Sequence, residues 1–535
     1  MGEMENIGNF VVTFEINVDK SQTDIIDKKL EVLRRMYNSI VGTFNSRHKE
    51  MIKTKRWRVM TSELFQSEKR TELHAQRKEF EKDSDDYNRI TEEINLLKGK
   101  LSSERKKELT DTQKEILKEN EFSEWGIYGT KGSGVGWKQY NHYKKCGIYS
   151  NNTMKLCSNI WRAYEKLLFG KGKRVSFKKY GELNTIQGAN NKSAIVIRFD
   201  DNKKPYVVFD KLNIKIHFNP KKPYEFDAMY NRDIVCSTIL RKQIRGKQKY
   251  YIQITFKGRP FSKENQQIGI GNVGIDIGTQ TIAVTSDNSV MLKELANRTP
   301  KYEKEIRVLL RAMDRSRRST NPQNYNDDGT IKRGIKLQWN VSKNYVKLKL
   351  KHKELARKKS EITTLQHNEL SNEIISQGDV FKVEKMSFTS LTKRTKKTEV
   401  SEITGKFKRK KRFGKSIGNK APSKLLSILK NKVIAKGGKF IEVNTQKCRA
   451  SQYNHISDDY TKKSLSQRWN NFTIDENKIK IQRDIYSSFL IKNVNEDNET
   501  FNKEKIIEEF SNFIKLHNNE IEILKNTKNI SSIGI

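Results

Sequence analysis

The sequence predicts a multidomain α+β protein, in which a helical segment interrupts a small β-domain and an α/β core follows. Three observations carry this. Short alternating runs (VSFKKY, SAIVIRF, YVVFD, IKIHF and YYIQITF) occupy Arg174 to Pro260 and read as strands of a small barrel or sandwich. Residues from about 21 to 170 contain no Pro and are largely helical in pattern and rich in charge. Beyond residue 266 apolar strands alternate with helices, the repeating unit of an α/β sheet.

Taken in order, Phe10 to Ile16 alternates as a strand, and the polar Asp19 to Thr23 can cap a helix. Ile26, Leu30, Leu33, Tyr37, Ile40 and Phe44 then recur at helical steps, predicting an amphipathic helix. From Ser84 to Lys107 the large apolar residues are Ile90, Ile94, Leu96, Leu97 and Leu101, so this arm packs on one side at most. After the glycine loop Thr130 to Gly136, the aromatics Trp137, Tyr140, Tyr143, Trp161 and Tyr164 interleave with cations such as Lys144. Aromatics between cations can stack bases while neutralising phosphates. The spacing of Trp161 and Tyr164 suits a buried helix face equally well.

In the second half, Val273 to Asp287 reads as two consecutive strands, with Asp276 inside the apolar run between Gly274 and Gly278. A carboxylate withdrawn from water calls for a cation or donors, and the flanking glycines would let a phosphate or metal approach. The blander reading is an Asp ending a strand in a tight hairpin. Basic helices over Tyr302 to Ser319 and Val341 to Lys359 follow, separated by the loop NPQNYNDDG. Val380 to Met386 is a short strand with Glu384 near its end. Lys393 to Lys415 carries eleven Lys and Arg against two Glu and reads as a basic loop. Pro422 leads a helix, KFIEVN is a strand, and Lys480 to Ile491 places Asp484 at the start of an amphipathic helix. A last helix lies on Ile506, Phe510, Phe513 and Ile514.

Composition narrows the partner. The 535 residues include 106 Lys and Arg against 64 Asp and Glu, a formal charge of +42. Such an excess is the footprint of a polyanion, and no apolar run approaches the ~20 residues of a membrane span. The first residues show no signal-peptide pattern, so a cytoplasmic, nucleoid-associated bacterial protein is expected. Cys146, Cys157, Cys236 and Cys448 form no CxxC pair, which argues against a disulfide framework and a zinc ribbon.

Asp276, Glu384 and Asp484 lie 108 and 100 residues apart, each at an element edge of one α/β pattern. Phosphodiester hydrolysis with two divalent ions about 3.5–4 Å apart needs about this many carboxylates, and magnesium suits oxygen ligands. The strand around Asp276 is shared by actin- and hexokinase-type ATPases and by RuvC nucleases of the ribonuclease H fold. No second DxGG strand appears, which favours the nuclease.

The chain resembles the TnpB family of insertion-sequence nucleases related to compact type V CRISPR effectors, and in particular its IStron-associated clostridial branch. The residues that carry this are GIDIGTQTIAV around Asp276, RAMDRSRRS at Arg311 to Ser319, HNELSNEI at His367 to Ile374, VEKMSF at Val383 to Phe388, FGKSIGNKAPS at Phe413 to Ser423, SQYNH at Ser451 to His455, LSQRW at Leu465 to Trp469 and QRDIYSSFLI at Gln482 to Ile491. The resemblance implies an RNase H-like (RuvC) nuclease core with a β-barrel wedge domain and a helical recognition domain. It divides the chain into a first wedge strand (1–20), recognition domain (21–170), wedge barrel (171–265), RuvC segments (266–390, 423–444 and 481–495), basic lid (391–422), zinc-less target-nucleic-acid-binding insertion (445–480) and tail helix (496–535).

It further implies an RNA-guided DNA endonuclease encoded by a mobile element. A guide RNA from the element end would direct it to double-stranded DNA beside a short motif, with one or two protomers per RNA. Asp276, Glu384 and Asp484 would be catalytic and would hold two Mg2+. Expected nucleic-acid contacts are Arg311, Arg315, Arg317, Arg318, Arg449, Lys462, Lys463, Arg468, Trp137, Tyr140 and Lys144. Many relatives carry a four-cysteine zinc ribbon where Thr445 to Lys480 holds only Cys448, so no zinc is expected. The alternatives are a nuclease-inactive RNA-guided DNA-binding repressor and an RNA-binding transposition-accessory protein.

Overall fold

The computed structural model describes residues 8–77, 85–95, 97, 102–129, 134–169, 172–263, 267–392, 413–464, 467–474 and 477–526. The chain forms two compact units, Met1–Phe261 and Ser262–Ile535. Thr130 to Ser133 of the glycine loop, Leu96, Leu101, Leu465, Ser466 and most of the expected lid (393–412) lie outside the described residues.

The first unit begins with β1 (Asn9–Asn17) and α1 (Lys20–Met51). Asp19 starts α1 with a capping box: its carboxylate accepts from the Gln22 amide at 2.8 Å, and the Gln22 side chain accepts from the Asp19 amide at 3.2 Å. The stripe from Ile26 to Phe44 is the face α1 buries. There follow α2 (Lys55–Arg77), α3 (Asp85–Asn95), α4 (Ser103–Glu119), α5 (Glu124–Tyr128), α6 (Val135–Tyr143) and α7 (Ser150–Leu168). Ile90 and Ile94 of α3 pack on Leu73 of α2 in a small separate cluster, a one-sided contact.

Next come β2 (Thr185–Gln187), β3 (Ile195–Phe199), β4 (Pro205–Phe209), β5 (Leu212–His217), α8 (Pro223–Asn231), β6 (Ile234–Ile244) and β7 (Lys247–Lys257). All seven strands form one antiparallel sheet, ordered β2-β6-β7-β1-β5-β4-β3. The N-terminal strand is therefore central, with Phe10 opposite Phe256 and Glu15 opposite His217. The sheet curls until edge strand β3 approaches β6. Among the described residues β2 and β3 do not hydrogen-bond to each other, so it is a curled sheet rather than a closed barrel. The β6–β7 hairpin turns on Arg245 and Gly246, both at positive φ (50° and 79°), as a two-residue turn matched to strand twist requires. Helices and sheet share one core, which includes Phe44, Phe122, Tyr164, Ile252 and Phe256.

The second unit opens with β8 (Asn272–Ile277), β9 (Thr281–Thr285) and β10 (Val290–Glu294). The helical hairpin α9 (Pro300–Thr320) and α10 (Lys343–Ile375) leads to β11 (Val380–Glu384). Then come α11 (Phe388–Leu391), α12 (Gly414–Lys420), α13 (Pro422–Ala435), β12 (Lys439–Val443) and α14 (Thr445–Cys448). The hairpins β13 (Tyr453–Asn454) with β14 (Asp459–Tyr460), and β15 (Trp469–Ile474) with β16 (Asn477–Gln482), precede α15 (Arg483–Lys492) and α16 (Lys503–Asn526). The five-stranded sheet is ordered β10-β9-β8-β11-β12. Its first three strands are antiparallel neighbours, and β11 runs parallel to both β8 and β12.

Three expectations need correcting here. First, α15 is not amphipathic: every residue from Ile485 to Lys492 is buried, because the helix packs between the sheet and α16, where Phe489 stacks on Phe513 at 4.2 Å. Second, α10 runs to Ile375, well past Lys359, because Thr363, His367, Ser371, Ile374 and Ile375 continue its buried side. Third, Gly274 is small for packing. A Cβ there would lie 2.0 Å from the Ser488 carbonyl oxygen and 2.3 Å from the Lys492 nitrogen, so its missing side chain admits α15 and not a phosphate.

Candidate active site

Asp276 stands near the carboxyl end of β8, and Glu384 closes the parallel neighbour β11, so strand direction alone sends both to one end of the sheet. Asp484 arrives there in the first turn of α15, whose docking against β8 depends on Gly274. The start of α15 is fixed by Gln482, whose side chain accepts from the Ile485 amide at 2.8 Å and whose own amide donates to His517 Nε2 at 3.0 Å. A carboxylate in the first turn also meets the positive end of the helix dipole.

The three carboxyls feel one another. Burial first, then the charges of Asp484 and Glu384, hold Asp276 well above the usual carboxylate range, with Arg483 pulling the other way. Burial pushes Glu384 up to about 7. Each of the three keeps part of its surface open to solvent. Asp484 is turned to cations: its oxygens lie 3.4 Å from Arg483 and 3.7 Å from Arg468. Arg483 is anchored by the Ser464 carbonyl at 3.3 Å, and its amide donates to the Arg468 carbonyl at 2.9 Å. Among the described residues, no three His, Cys, Asp or Glu side chains are gathered closely enough to hold an ion as they stand.

The expected nucleic-acid contacts divide into two groups. Arg311, Arg315, Lys144, Arg449 and Lys462 are exposed. Arg449 lies 4.3 Å over the Tyr460 ring. Arg317 and Arg318 are engaged within the chain: both pair with Asp314, at 3.0 and 2.8 Å, and they stack on Trp339 and Tyr325. Arg318 also donates to the Gly329 carbonyl at 2.7 Å, so this pair pins the loop between α9 and α10. Lys463 donates to Asn470 at 2.8 Å and Arg468 serves Asp484. Trp137 packs with Tyr128 and Tyr140 and is half-buried. Tyr164 is a core residue whose hydroxyl bonds the Val41 carbonyl at 3.1 Å and Asn45 at 2.9 Å.

The region 445–480 is held by side-chain packing. Cys448, Tyr453, Phe472, Tyr486 and Phe510 share a buried cluster. His455 Nδ1 meets the Tyr486 hydroxyl at 2.7 Å, and burial pushes that imidazole down to about 4. The Cys448 thiol lies 3.6 Å from the Asn498 carbonyl and is pushed up to about 11 by burial.

Arg483 escaped the sequence reading, although its position beside Asp484 was a usable signal. The role of Gly274 left none, because it depends on a helix more than 200 residues away.

No family model matches the sequence, and no curated protein matches it. Among solved structures, a Cas12f1–sgRNA–target DNA complex aligns at TM-score 0.45 and 10% identity, over 91% of this chain and 99% of that one. A CRISPR–Cas12f ternary complex aligns at TM-score 0.26 and 12% identity, over 90% and 99%. A Cas12i–crRNA–double-stranded DNA complex aligns at TM-score 0.27 and 11% identity, over 93% and 65%. The fold is a mixed α+β chain of two units, one of them built on a curled antiparallel sheet. Among the described residues no helix is long and apolar enough to cross a membrane.

Proposed function

We propose that the chain is an RNA-guided DNA endonuclease of the TnpB kind, cutting at a centre built from Asp276, Glu384 and Asp484. One observation supports the reading: three carboxyls from separate segments lie toward one end of the second unit's sheet, near enough that burial first and then the charges of Asp484 and Glu384 raise Asp276. The strand order, three antiparallel strands and then two parallel additions, is the one expected of a ribonuclease H-like core. The +42 charge supplies the reason for a nucleic-acid partner.

The donor set fits hard divalent ions, since all three groups offer carboxylate oxygens, with Arg468 and Arg483 beside Asp484. When bound, magnesium would polarise the phosphate and lower the pKa of an attacking water. Asp276 and Glu384, both held above the usual carboxylate range, would give up protons on becoming ligands. Arg468 and Arg483, already at Asp484, would meet phosphate oxygens with charge-assisted hydrogen bonds. Guide pairing would supply sequence choice, with the protein gripping backbone and shape.

Sequencing the RNA that co-purifies with the full chain tests this. One dominant species from the encoding element, with cutting of a plasmid library beside a fixed short motif, is expected. A mixture of cellular RNAs without cutting leaves a general RNA-binding protein, and guided binding without cutting leaves the repressor.

A further inference from the structure

The carboxyl ends of β11 and β12 open into a cavity of about 770 Å³, separate from the three carboxylates but beginning one residue after Glu384, at Lys385. Ligands of open α/β sheets settle at the carboxyl ends of parallel strands, and this volume is typical of a small-ligand pocket. Its walls are tied together before any ligand arrives. The Lys385 amide donates to the Val443 carbonyl at 3.2 Å, the Thr445 hydroxyl to the Lys385 carbonyl at 3.0 Å and the Asn444 amide to the Asn498 carbonyl at 2.9 Å. Little ordering is then left for binding to impose.

The lining selects the ligand. Glu442, Asp497 and Glu499 face it, and hydrogen bonds from Thr500 to Asp497 and from Lys447 to Glu499 hold both carboxyls below the usual carboxylate range, which keeps both ionised. Three carboxylates repel a phosphate. Each is also engaged: Glu442 by Lys430 at 3.1 Å, Glu499 by Lys447 and Asn444, and Asp497 by the Glu499 and Thr500 amides at 2.8 and 3.0 Å. They therefore offer remaining lone pairs to a neutral donor better than they offer a cage to a cation. The Gln446 and Asn498 side-chain amides have no hydrogen-bond partner among the described residues, and Met386, 37% exposed, supplies a polarisable flat contact. Amides, acceptors and a thioether beside a scissile-phosphate centre match the edge and face of a nucleobase, whose amino group carboxylates accept.

We infer that this cavity receives one unstacked base of the strand being cut, next to the bond that breaks, and prefers a base with an exocyclic amino group. The inference rests on the nuclease reading and names the contact that would position its substrate.

The test uses the full chain with its co-purified RNA and matched target DNAs. An abasic residue is walked through the positions flanking the cut, and each of the four bases is placed at the responsive position. Cutting is expected to slow about tenfold at one flanking position, the value of roughly one lost hydrogen bond or contact of about 1.4 kcal/mol. Thymine should be the slowest of the four bases. The doubly substituted chain Gln446→Ala, Asn498→Gly should slow the intact substrate similarly and no longer respond to the abasic residue. Asn498 sits at φ 59°, which Gly accepts, and Gln446 is exposed, so the variant keeps its fold. Its magnesium-dependent melting shift should match that of the parent. Equal rates for abasic and intact DNA at every position, or a variant whose defect simply adds to the abasic one, overturns the inference and leaves the nuclease standing. A parent chain that cuts none of the DNAs overturns both.

Discussion

Gly274 and Ser488 touch backbone to backbone: a single added carbon on Gly274 would come within 2.0 Å of the Ser488 carbonyl oxygen. This contact seats α15 on β8 and delivers Asp484 to the end of the strand that carries Asp276. Gly274→Ala should therefore cost about 3 kcal/mol or more, the upper range for overpacking a rigid site. Because it displaces the helix, it should also remove any stabilisation by magnesium. Thermal unfolding with and without the ion checks both effects.

Proton linkage at the carboxylates gives a second expectation. Glu384 is raised from 4.5 to about 7 and Asp276 is raised as well, so at these two groups the folded state binds more protons than the unfolded chain. Their contribution to stability is then fully present below about pH 4.5 and is lost as pH rises through 7, with Glu384 alone accounting for about 3 kcal/mol. Glu384→Gln should stabilise the metal-free protein at neutral pH while abolishing its response to magnesium. Magnesium binding near pH 7 should release protons, read as a calorimetric heat that changes with buffer.

The arginines of α9 should separate by role. Arg311 and Arg315 are exposed, whereas Arg317 and Arg318 pair with Asp314 and stack on Trp339 and Tyr325. Replacing Arg311 and Arg315 by Ala should reduce the salt dependence of RNA binding by about two in log–log slope at unchanged melting temperature. Arg318→Ala should instead loosen the loop it holds through the Gly329 carbonyl, seen as faster proteolysis between Asn321 and Asn340.

Zinc offers a fourth check. With Cys448 held as a thiol against the Asn498 carbonyl and His455 bound to Tyr486, the 445–480 region is expected to fold without metal. Chelator should leave melting unchanged, and elemental analysis should find far less than one zinc per chain. A stoichiometric zinc would contradict this.

The sequence disclosed the local parts of this molecule well. Alternation marked β8, the end of an apolar run marked Glu384, and the stripe from Ile26 to Phe44 marked the buried side of α1. What it could not disclose depends on distant partners. The five apolar or aromatic residues of α15 suggested one buried face, but the sheet on one side and α16 on the other bury even Ser487, Ser488 and Lys492. Lys492 is tolerated there because Asp287 and Glu509 meet it at 2.5 and 2.8 Å. Arg317 and Arg318 were expected as nucleic-acid contacts, and local sequence does not show that Trp339 and Tyr325 fold back onto them. The cavity beside Glu384 is assembled from segments near 385, 444 and 498, so no single motif announces it.

The most direct measurement is cutting of a guide-matched plasmid, in magnesium, by the parent RNA complex and by its Asp276→Ala counterpart, with DNA binding followed in parallel. The account predicts that the parent cuts and that the variant binds the target with similar affinity while its cutting rate falls by at least about a thousandfold. A variant that still cuts at near the parental rate would place the chemistry away from Asp276, Glu384 and Asp484.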